Sequence, residues 1–307
     1  MKAAFITAAG GTDKFAYGDL PDPVAGPGEI LVDIHAASVN GADWKSRENA
    51  YGLKMTFPYI LGRDFSGVVA ALGEGVTDFA VGDEVFGVCA AGQEGTYCEK
   101  IAMKAELCAK KPGTLSHVDA AALALIGLTA LVSVEDTLKL QKGETILVQG
   151  GAGGVAGFAI QLAKHLGART ITTCSAKNVD YVRGLGADEV IDYSKQDFTQ
   201  RGPVCDCVFD TVGGDVAKKA FAVLKPGGRA AFIASGNTAP KPERPDVTSL
   251  RPAVGRDREH LQRICDLYAA GAVTVPEVTL FALSDVVRAH EVSEGRHLRG
   301  KLVFKIK

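Results

Sequence analysis

Residues 29–35, Glu29-Ile30-Leu31-Val32-Asp33-Ile34-His35, alternate apolar and polar positions as a half-buried strand does, and Pro27-Gly28 supplies the turn ahead of them. Residues 65–70 and 83–88 are two further β-like runs, punctuated by the turn signals Leu72-Gly73-Glu74-Gly75 and Val81-Gly82-Asp83. The chain to about Lys111 therefore reads as mostly strand. At Ser116-His117-Val118-Asp119 the texture changes to an N-cap with an acid in the first turn, which predicts an apolar helix to about Val132. From Glu144 strands and helices alternate. Strands are predicted at 145–148, 170–174, 189–191, 204–209 and 229–234, with helices at 154–166 and 179–184. That order implies a parallel sheet covered on both faces. A polar, Pro- and Arg-rich stretch, 237–256, reads as a solvated loop rather than a lid. A helix at 258–270, an apolar segment at 278–281, a helix at 283–292 and a closing strand at 301–305 follow.

Composition agrees with this pattern. The 307 residues are 47% apolar and 23% charged, which excludes a disordered chain and allows one or two packed domains. A formal net charge of -2 gives no global pull toward nucleic acid or an anionic membrane. The N-terminal apolar run, residues 1–7, is too short for a signal peptide, and the apolar stretch 120–126 is too short to span a bilayer. The expectation is a cytoplasmic protein. Seven cysteines are scattered without a CxxC pair, which argues against a disulfide scaffold and a structural zinc site. Cys205 and Cys207 flank Asp206 in a strand-like run and should share one face of it.

One motif carries chemistry. The strand Thr145-Ile146-Leu147-Val148 runs into Gln149-Gly150-Gly151-Ala152-Gly153-Gly154-Val155-Ala156-Gly157 and then a helix. Read as GxGxxG/A, its positions are Gly151, Gly153 and Ala156. Glycines there permit a tight turn and let backbone N–H groups approach a pyrophosphate at the helix N-terminus. The strand–turn–helix setting at the head of a βαβ series separates it from a merely structural glycine turn. A site for NAD usually places an acid at the end of the next strand to accept from the ribose hydroxyls. From Thr145 to Val179 there is no Asp or Glu; Ser175 and Lys177 stand in that region instead. A carboxylate repels a 2′-phosphate, whereas a hydroxyl and an ammonium bind one, so the expected cofactor is NADPH.

Several segments together resemble the zinc-less quinone oxidoreductases of the medium-chain dehydrogenase/reductase superfamily, close to the zeta-crystallin type and the plant enone reductases. They are residues 35–45, His35-Ala36-Ala37-Ser38-Val39-Asn40-Gly41-Ala42-Asp43-Trp44-Lys45; 61–69, with Leu61-Gly62-Arg63-Asp64; and 81–87. Residues 186–193, Asp210-Thr211-Val212-Gly213-Gly214, Leu224-Lys225-Pro226-Gly227-Gly228-Arg229 and Gly300-Lys301-Leu302-Val303 complete the set. The resemblance implies an α/β protein in two parts, a GroES-like, β-rich catalytic domain (1–115 with 257–307) and a Rossmann NADPH-binding domain with a doubly wound parallel sheet (116–256). It implies an active site in the cleft between them. Asn40 and Thr129 would lie near the nicotinamide. Gly151, Ala152, Gly153, Gly154 and Val155 would form the pyrophosphate turn. Ser175, Lys177 and Tyr193 would meet the 2′-phosphate, and Thr211, Val212, Ala234 and Ser235 would edge the cofactor. Homodimers paired through the edge strand, at 229–234 or the segment after it, are also implied.

In zinc-dependent relatives a Cys, a His and a third ligand hold the metal; here Asn40 and Arg63 stand at the first two of those positions. A metal-free reduction of quinones or α,β-unsaturated carbonyl compounds follows, with hydrogen-bond donors stabilising charge on the acceptor oxygen. The candidate donors are Asn40, Lys45, Tyr51 and Thr129. Each has a plainer reading: Asn40 fastens a loop, Lys45 pairs with Asp43, Tyr51 walls the substrate, and Thr129 bonds its own helix backbone. Asp64 reads as the buried ion-pair partner of Arg63, and His35 as a strand residue rather than a base. The competing functions are a metal-free carbonyl reductase or alcohol dehydrogenase, and a non-catalytic NADPH-binding protein. The segments 48–58 and 237–256 are where substrate choice is expected to reside.

Overall fold

The computed structural model describes residues 1–90, 92–236 and 238–307. They form two compact units, one from Met1–Leu125, Arg256–Asp266 and Val275–Lys307, the other from Ile126–Gly255 and Leu267–Thr274.

The first unit is built on a seven-stranded sheet. Its path runs Val278–Ala282, Lys301–Lys305, Glu29–Val39, Asp64–Leu72, Glu84–Val88, Cys108–Lys110, and Lys100–Lys104 also pairs with Glu29–Val39. The alternation read in 29–35 is real: Ile30, Val32 and Ile34 are fully buried while Glu29, Leu31, Asp33 and His35 are half-exposed. The strand continues to Val39, because Ala36, Ala37 and Ser38 are small enough to be buried on both faces. Phe65, Tyr97, Leu302 and Phe304 fill the core beneath it. Each such large side chain contributes about 2–3 kcal/mol by leaving water. A second sheet of Phe15–Asp19, Lys2–Ile6 and Tyr59–Ile60, unannounced by the pattern, packs beside it.

The second unit holds a six-stranded parallel sheet in the order Glu189–Asp192, Arg169–Cys174, Thr145–Gln149, Cys205–Asp210, Leu224–Phe232, Thr248–Leu250. The first strand in sequence, Thr145–Gln149, sits in the middle with Arg169–Cys174 on one side and Cys205–Asp210 on the other. Strand order therefore reverses at its C-terminal end, which is where open α/β sheets bind ligands. Cys205 and Cys207 are both buried on their strand while Asp206 between them faces out to Lys225 and the Thr145 amide.

Three expectations change. Part of the stretch read as a solvated loop is an edge strand, Thr248–Leu250. Three residues are too few to show alternation, and Asn237 at the head of that stretch lies outside the described residues. The fifth strand is Leu224–Phe232, so Ala234 and Ser235 lie past its end and it is interior to the sheet; the segment after it holds the edge. The apolar helix is also longer than its core stretch. His117–Leu131 continues through a π-helical turn, Val132–Thr137, to give 21 residues apolar enough by composition to cross a membrane. Its apolar surface is spent inside the protein, where 78% of the most apolar window is buried.

Candidate functional site

The glycine turn is fastened to the neighbouring strand. Gly150 N–H donates to the Thr173 hydroxyl (3.1 Å) and Gly151 N–H to the Thr173 carbonyl (2.9 Å). A Cβ on Gly151 would stand 2.2 Å from Thr172 Oγ1, so only glycine lets the turn close against that strand. The helix Gly154–His165 then starts with Gly153 as N-cap, which supplies no side chain to the first amides, and its first turn holds no acid. Orphan N–H groups and the positive end of the helix dipole are thereby left for an anion.

The other predicted cofactor residues converge on this turn. A Cβ on Gly150 would meet Thr211 Oγ1 and Val212 Cγ2, both at 3.0 Å, and Thr211 Oγ1 donates to the Gln149 carbonyl (2.7 Å). Gly213, at φ 80, is pressed against Ala234, whose carbonyl oxygen would lie 2.5 Å from a Cβ there. Ser175 follows the strand Arg169–Cys174, and Tyr193 follows the adjacent strand and donates its N–H to the Cys174 carbonyl (3.2 Å). Ser175 and Tyr193 thus share one end of the sheet, with Lys177 two residues beyond Ser175. The nearby acid, Asp192, turns its carboxylate onto the Ser194 amide (3.1 Å) and hydroxyl (2.7 Å).

Sequence reasoning missed two members of this end. Gln149 and Asp210 are fully buried neighbours in register on adjacent strands. Both side-chain polar atoms of Gln149, Asp210 Oδ2 and the Ser235 hydroxyl lack protein partners among the described residues. Burial pushes the Asp210 carboxyl up to about 6, although it accepts from the Gly213 amide. Buried polar atoms without partners are uncommon in native proteins and are suited to a polar ligand or its waters. Their sequence signal was position: each directly precedes a motif, Gly150-Gly151 or Thr211-Val212.

In the first unit the helix Gly41–Arg47 begins at Asn40, whose N–H donates to Asp43 Oδ2 (2.9 Å). The Asn40 side chain is held at both ends. Its amide N–H donates to Asp64 Oδ1 (2.8 Å), and its oxygen accepts from Lys301 Nζ (2.7 Å). Lys301 also donates to the Val39 carbonyl (2.9 Å) and is almost fully buried. Burial pulls its ammonium below the usual range, opposed by Asp64 and Asp43. Beside this cluster Arg63 donates to Glu94 (2.9 Å) and lies 3.4 Å from Asp43, while Glu94 also accepts from Ser46 (2.5 Å). Burial and the nearby Asp43 push Glu94 up to about 7 against the pull of Arg63. Lys301, Glu94, Tyr97 and Ser46 had no local signal, since their partners lie dozens of residues away.

Two ion pairs differ from expectation. Asp64 does not bond Arg63; it accepts from the Ser38 hydroxyl (2.7 Å) and from Asn40. Neighbouring residues entering a strand point to opposite sides, which parts them. Lys45 does not pair with Asp43, which is buried and accepts from the Tyr97 hydroxyl (2.7 Å). Positions two apart on a helix face away from each other, and Lys45 lies instead over the Trp44 ring, 5.5 Å from its centroid. Tyr51 sits under the Arg63 guanidinium at 5.6 Å. Thr129, in the second unit, is nearly buried, and its carbonyl accepts from the Ser133 hydroxyl (2.6 Å) one turn before the π-helical stretch. His35 is a strand residue stacked at a tilt on His117, 4.4 Å between centroids. Among the described residues no group of three His, Cys, Asp or Glu is placed to hold a metal ion.

Comparison with known proteins agrees with both units. Residues 26–113 match the alcohol dehydrogenase GroES-like domain, and residues 185–304 match the family described as zinc-binding dehydrogenase. A quinone oxidoreductase of Pseudomonas aeruginosa is 32% identical, covering 97% of this chain and 98% of its own. The chloroplastic NADPH-dependent alkenal/one oxidoreductase of Arabidopsis thaliana is 31% identical over 99% of this chain and 79% of its own. The crystal structure of Escherichia coli quinone oxidoreductase complexed with NADPH superposes with a TM-score of 0.91 at 26% identity, covering 100% of each chain.

Proposed function

For a chain that belongs to the quinone oxidoreductase and enone reductase family of the medium-chain dehydrogenase/reductase superfamily, we propose NADPH-dependent, metal-free hydride transfer to a quinone or an α,β-unsaturated carbonyl compound. The observation that carries it is the uncapped, acid-free helix start at Gly153–Gly154, set at the reversal of strand order, with Ser175, Lys177 and Tyr193 following the next two strands of the sheet. The orphaned atoms of Gln149, Asp210 and Ser235 fit the same cofactor.

When bound, NADPH supplies a hydride, two electrons with one hydrogen nucleus, to the acceptor. The amides of Gly154 and Val155 would hold the pyrophosphate, the Lys177 ammonium with the Ser175 and Tyr193 hydroxyls would hold the 2′-phosphate, and Thr211, Val212, Ala234 and Ser235 would border the rest. On an enone, hydride would add at the β-carbon, the C=C pair would shift to join the α-carbon to the carbonyl carbon, the C=O pair would move onto oxygen, and the enolate would take a proton at its α-carbon from water. Charge growing on that oxygen is met by hydrogen-bond donors, for which Lys45, Tyr51 and Thr129 are assigned. Asn40 fixes the start of the helix carrying Lys45, because both ends of its amide are engaged. The metal-free reading is supported by chemistry at the metal position: Arg63 and Lys301 supply positive charge to Asp43 and Asp64 where zinc-dependent relatives use a cation.

Titration of the protein with NADPH and NADH by fluorescence, then NADPH consumption with a panel of quinones and enones, tests this. NADH bound as tightly as NADPH overturns the 2′-phosphate assignment. Tight NADPH binding without turnover makes the protein a cofactor-binding protein, turnover of simple aldehydes alone makes it a carbonyl reductase, and stoichiometric zinc overturns the metal-free mechanism.

A further inference from the structure

At Trp44 two cations meet, and among the described residues neither is ion-paired with a carboxylate. Two cations lie over the one indole, Lys45 Nζ at 5.5 Å and Arg296 Cζ at 5.3 Å from its centroid. Lys45 is half-buried, and Arg296 is exposed, reaching the ring from the turn just after the helix Val286–Glu294. Two cations on one ring repel each other, and a protein surface ordinarily relieves this with a carboxylate. The carboxylates close to Lys45 and Arg296 in sequence, and those of the adjoining cluster, bond other groups. Glu294 and Glu48 both bond Arg47, at 2.6 and 3.5 Å. Asp43 accepts from Tyr97 and faces Arg63, and Glu94 accepts from Arg63 and Ser46. Burial, then Arg296, then Arg63 draw the Lys45 ammonium below its usual range, so the excess charge is felt at Lys45 itself.

We propose that Lys45, Arg296 and the Trp44 indole form a receiving site for an anionic acceptor, a flat conjugated carbonyl compound that bears a carboxylate. The indole offers a platform for the conjugated plane, and the two cations bind the carboxylate beside it. The inference rests on the reductase reading for its acceptor class, but the anion site itself does not. For such an acceptor Lys45 binds the carboxylate in place of the oxygen that gains charge, which falls to the other assigned donors. A second consequence is sensitivity to salt, because exposed Arg296 is screened within about 8 Å at physiological ionic strength.

Trp44 is the single tryptophan of the chain, which makes it the reporter. In the cofactor-free protein at low salt, iodide is expected to quench Trp44 about twofold more strongly than in Arg296→Gln, with neutral acrylamide quenching both alike. With NADPH, 4-oxopent-2-enoate is expected to give a kcat/KM about tenfold above its methyl ester, and R296Q to shrink that ratio about threefold. An iodide response identical in the two proteins, or an ester used as well as the acid, overturns the anion site. No NADPH oxidation with acid or ester, with the iodide difference intact, overturns the reductase reading and the acceptor identity built on it.

Discussion

Replacing Lys301 by Met removes a buried charge and keeps most of the volume. The ammonium makes two bonds, to the Val39 carbonyl (2.9 Å) and Asn40 Oδ1 (2.7 Å), and reaches Asp64 only through the Asn40 amide (2.8 Å). Its loss leaves two buried acceptors without donors, at about 1–3 kcal/mol each. It also removes a buried positive charge that acts on Asp64 through Asn40, and losing the countercharge of a buried carboxylate costs up to about 3–5 kcal/mol. Against this stands the relief of no longer desolvating an ammonium, so the expected loss is about 3–5 kcal/mol rather than the sum. Urea unfolding with the slope held constant measures it directly, and thermal unfolding should fall by about 10 °C. The pH dependence provides a second reading. A lysine whose native pKa lies below 10.5 binds fewer protons folded than unfolded in the interval between. Wild-type stability should therefore rise with pH across that interval, and K301M should lack the rise. A loss under about 1 kcal/mol, with no difference in alkaline slope, would refute the view that this lysine holds the cluster together.

Glu94 titrates in the opposite sense. Burial raises it from 4.5 to about 7, so the folded state keeps a proton that the unfolded state loses, and wild-type stability should fall relative to Glu94→Gln as pH rises from 4.5 to 7, by about 2 kcal/mol in denaturant titrations. Gly151→Ala forces Thr172 Oγ1 away from 2.2 Å and should cost about 1–3 kcal/mol in thermal unfolding, with the stabilisation given by added NADPH reduced as well. Lys177→Glu should lower the NADPH-to-NADH ratio of kcat/KM by about 10²-fold, through loss of a charge-assisted bond and gain of a repulsion; an unchanged ratio would remove Lys177 from the 2′-phosphate site.

What the sequence made legible is local. The strand around Ile30, Val32 and Ile34, the parallel series from Thr145, and the glycine turn announce themselves because burial on one face, or a forbidden Cβ, writes a short-range pattern. The sheet end that carries the cofactor candidates was legible for the same reason, since those residues follow strand ends. The polar cluster of the first unit was not. Asn40, Asp64, Glu94, Tyr97 and Lys301 come from four strands or loops and one helix start, and each alone looks like an ordinary surface or strand residue. Adjacency misled there: the pairs Arg63–Asp64 and Asp43–Lys45 were inferred from neighbours in sequence, whereas strand and helix geometry turn those neighbours apart. Ser38, Ser46 and the short strand Thr248–Leu250 left no trace because small polar residues read the same in a loop, a strand or a core.

The charge of that cluster accounts for the state of Glu94. Asp43, Asp64 and Glu94 are three carboxyl groups with buried side chains; Arg63 pairs with Asp43 and Glu94, and Lys301 stands behind the Asn40 amide that Asp64 accepts from. Burial penalises an uncompensated charge strongly, so the fold tends toward equal numbers of each sign. Asp64 accepts from Ser38 and Asn40, with Lys301 behind Asn40. Asp43 accepts from Tyr97 and the Asn40 amide and faces Arg63. Burial nevertheless pushes the Asp43 carboxyl up, against the pull of Arg63, Tyr97 and the Asn40 N–H. Glu94 shares the same Arg63, its second oxygen has no partner among the described residues, and burial with the nearby Asp43 pushes it up to about 7. It follows that removing a cation should push Glu94 further up. In Lys301→Met the Glu94 titration, followed by infrared absorption of the protonated carboxyl, should move to higher pH; a shift to lower pH would show that Lys301 and Arg63 serve separate clusters.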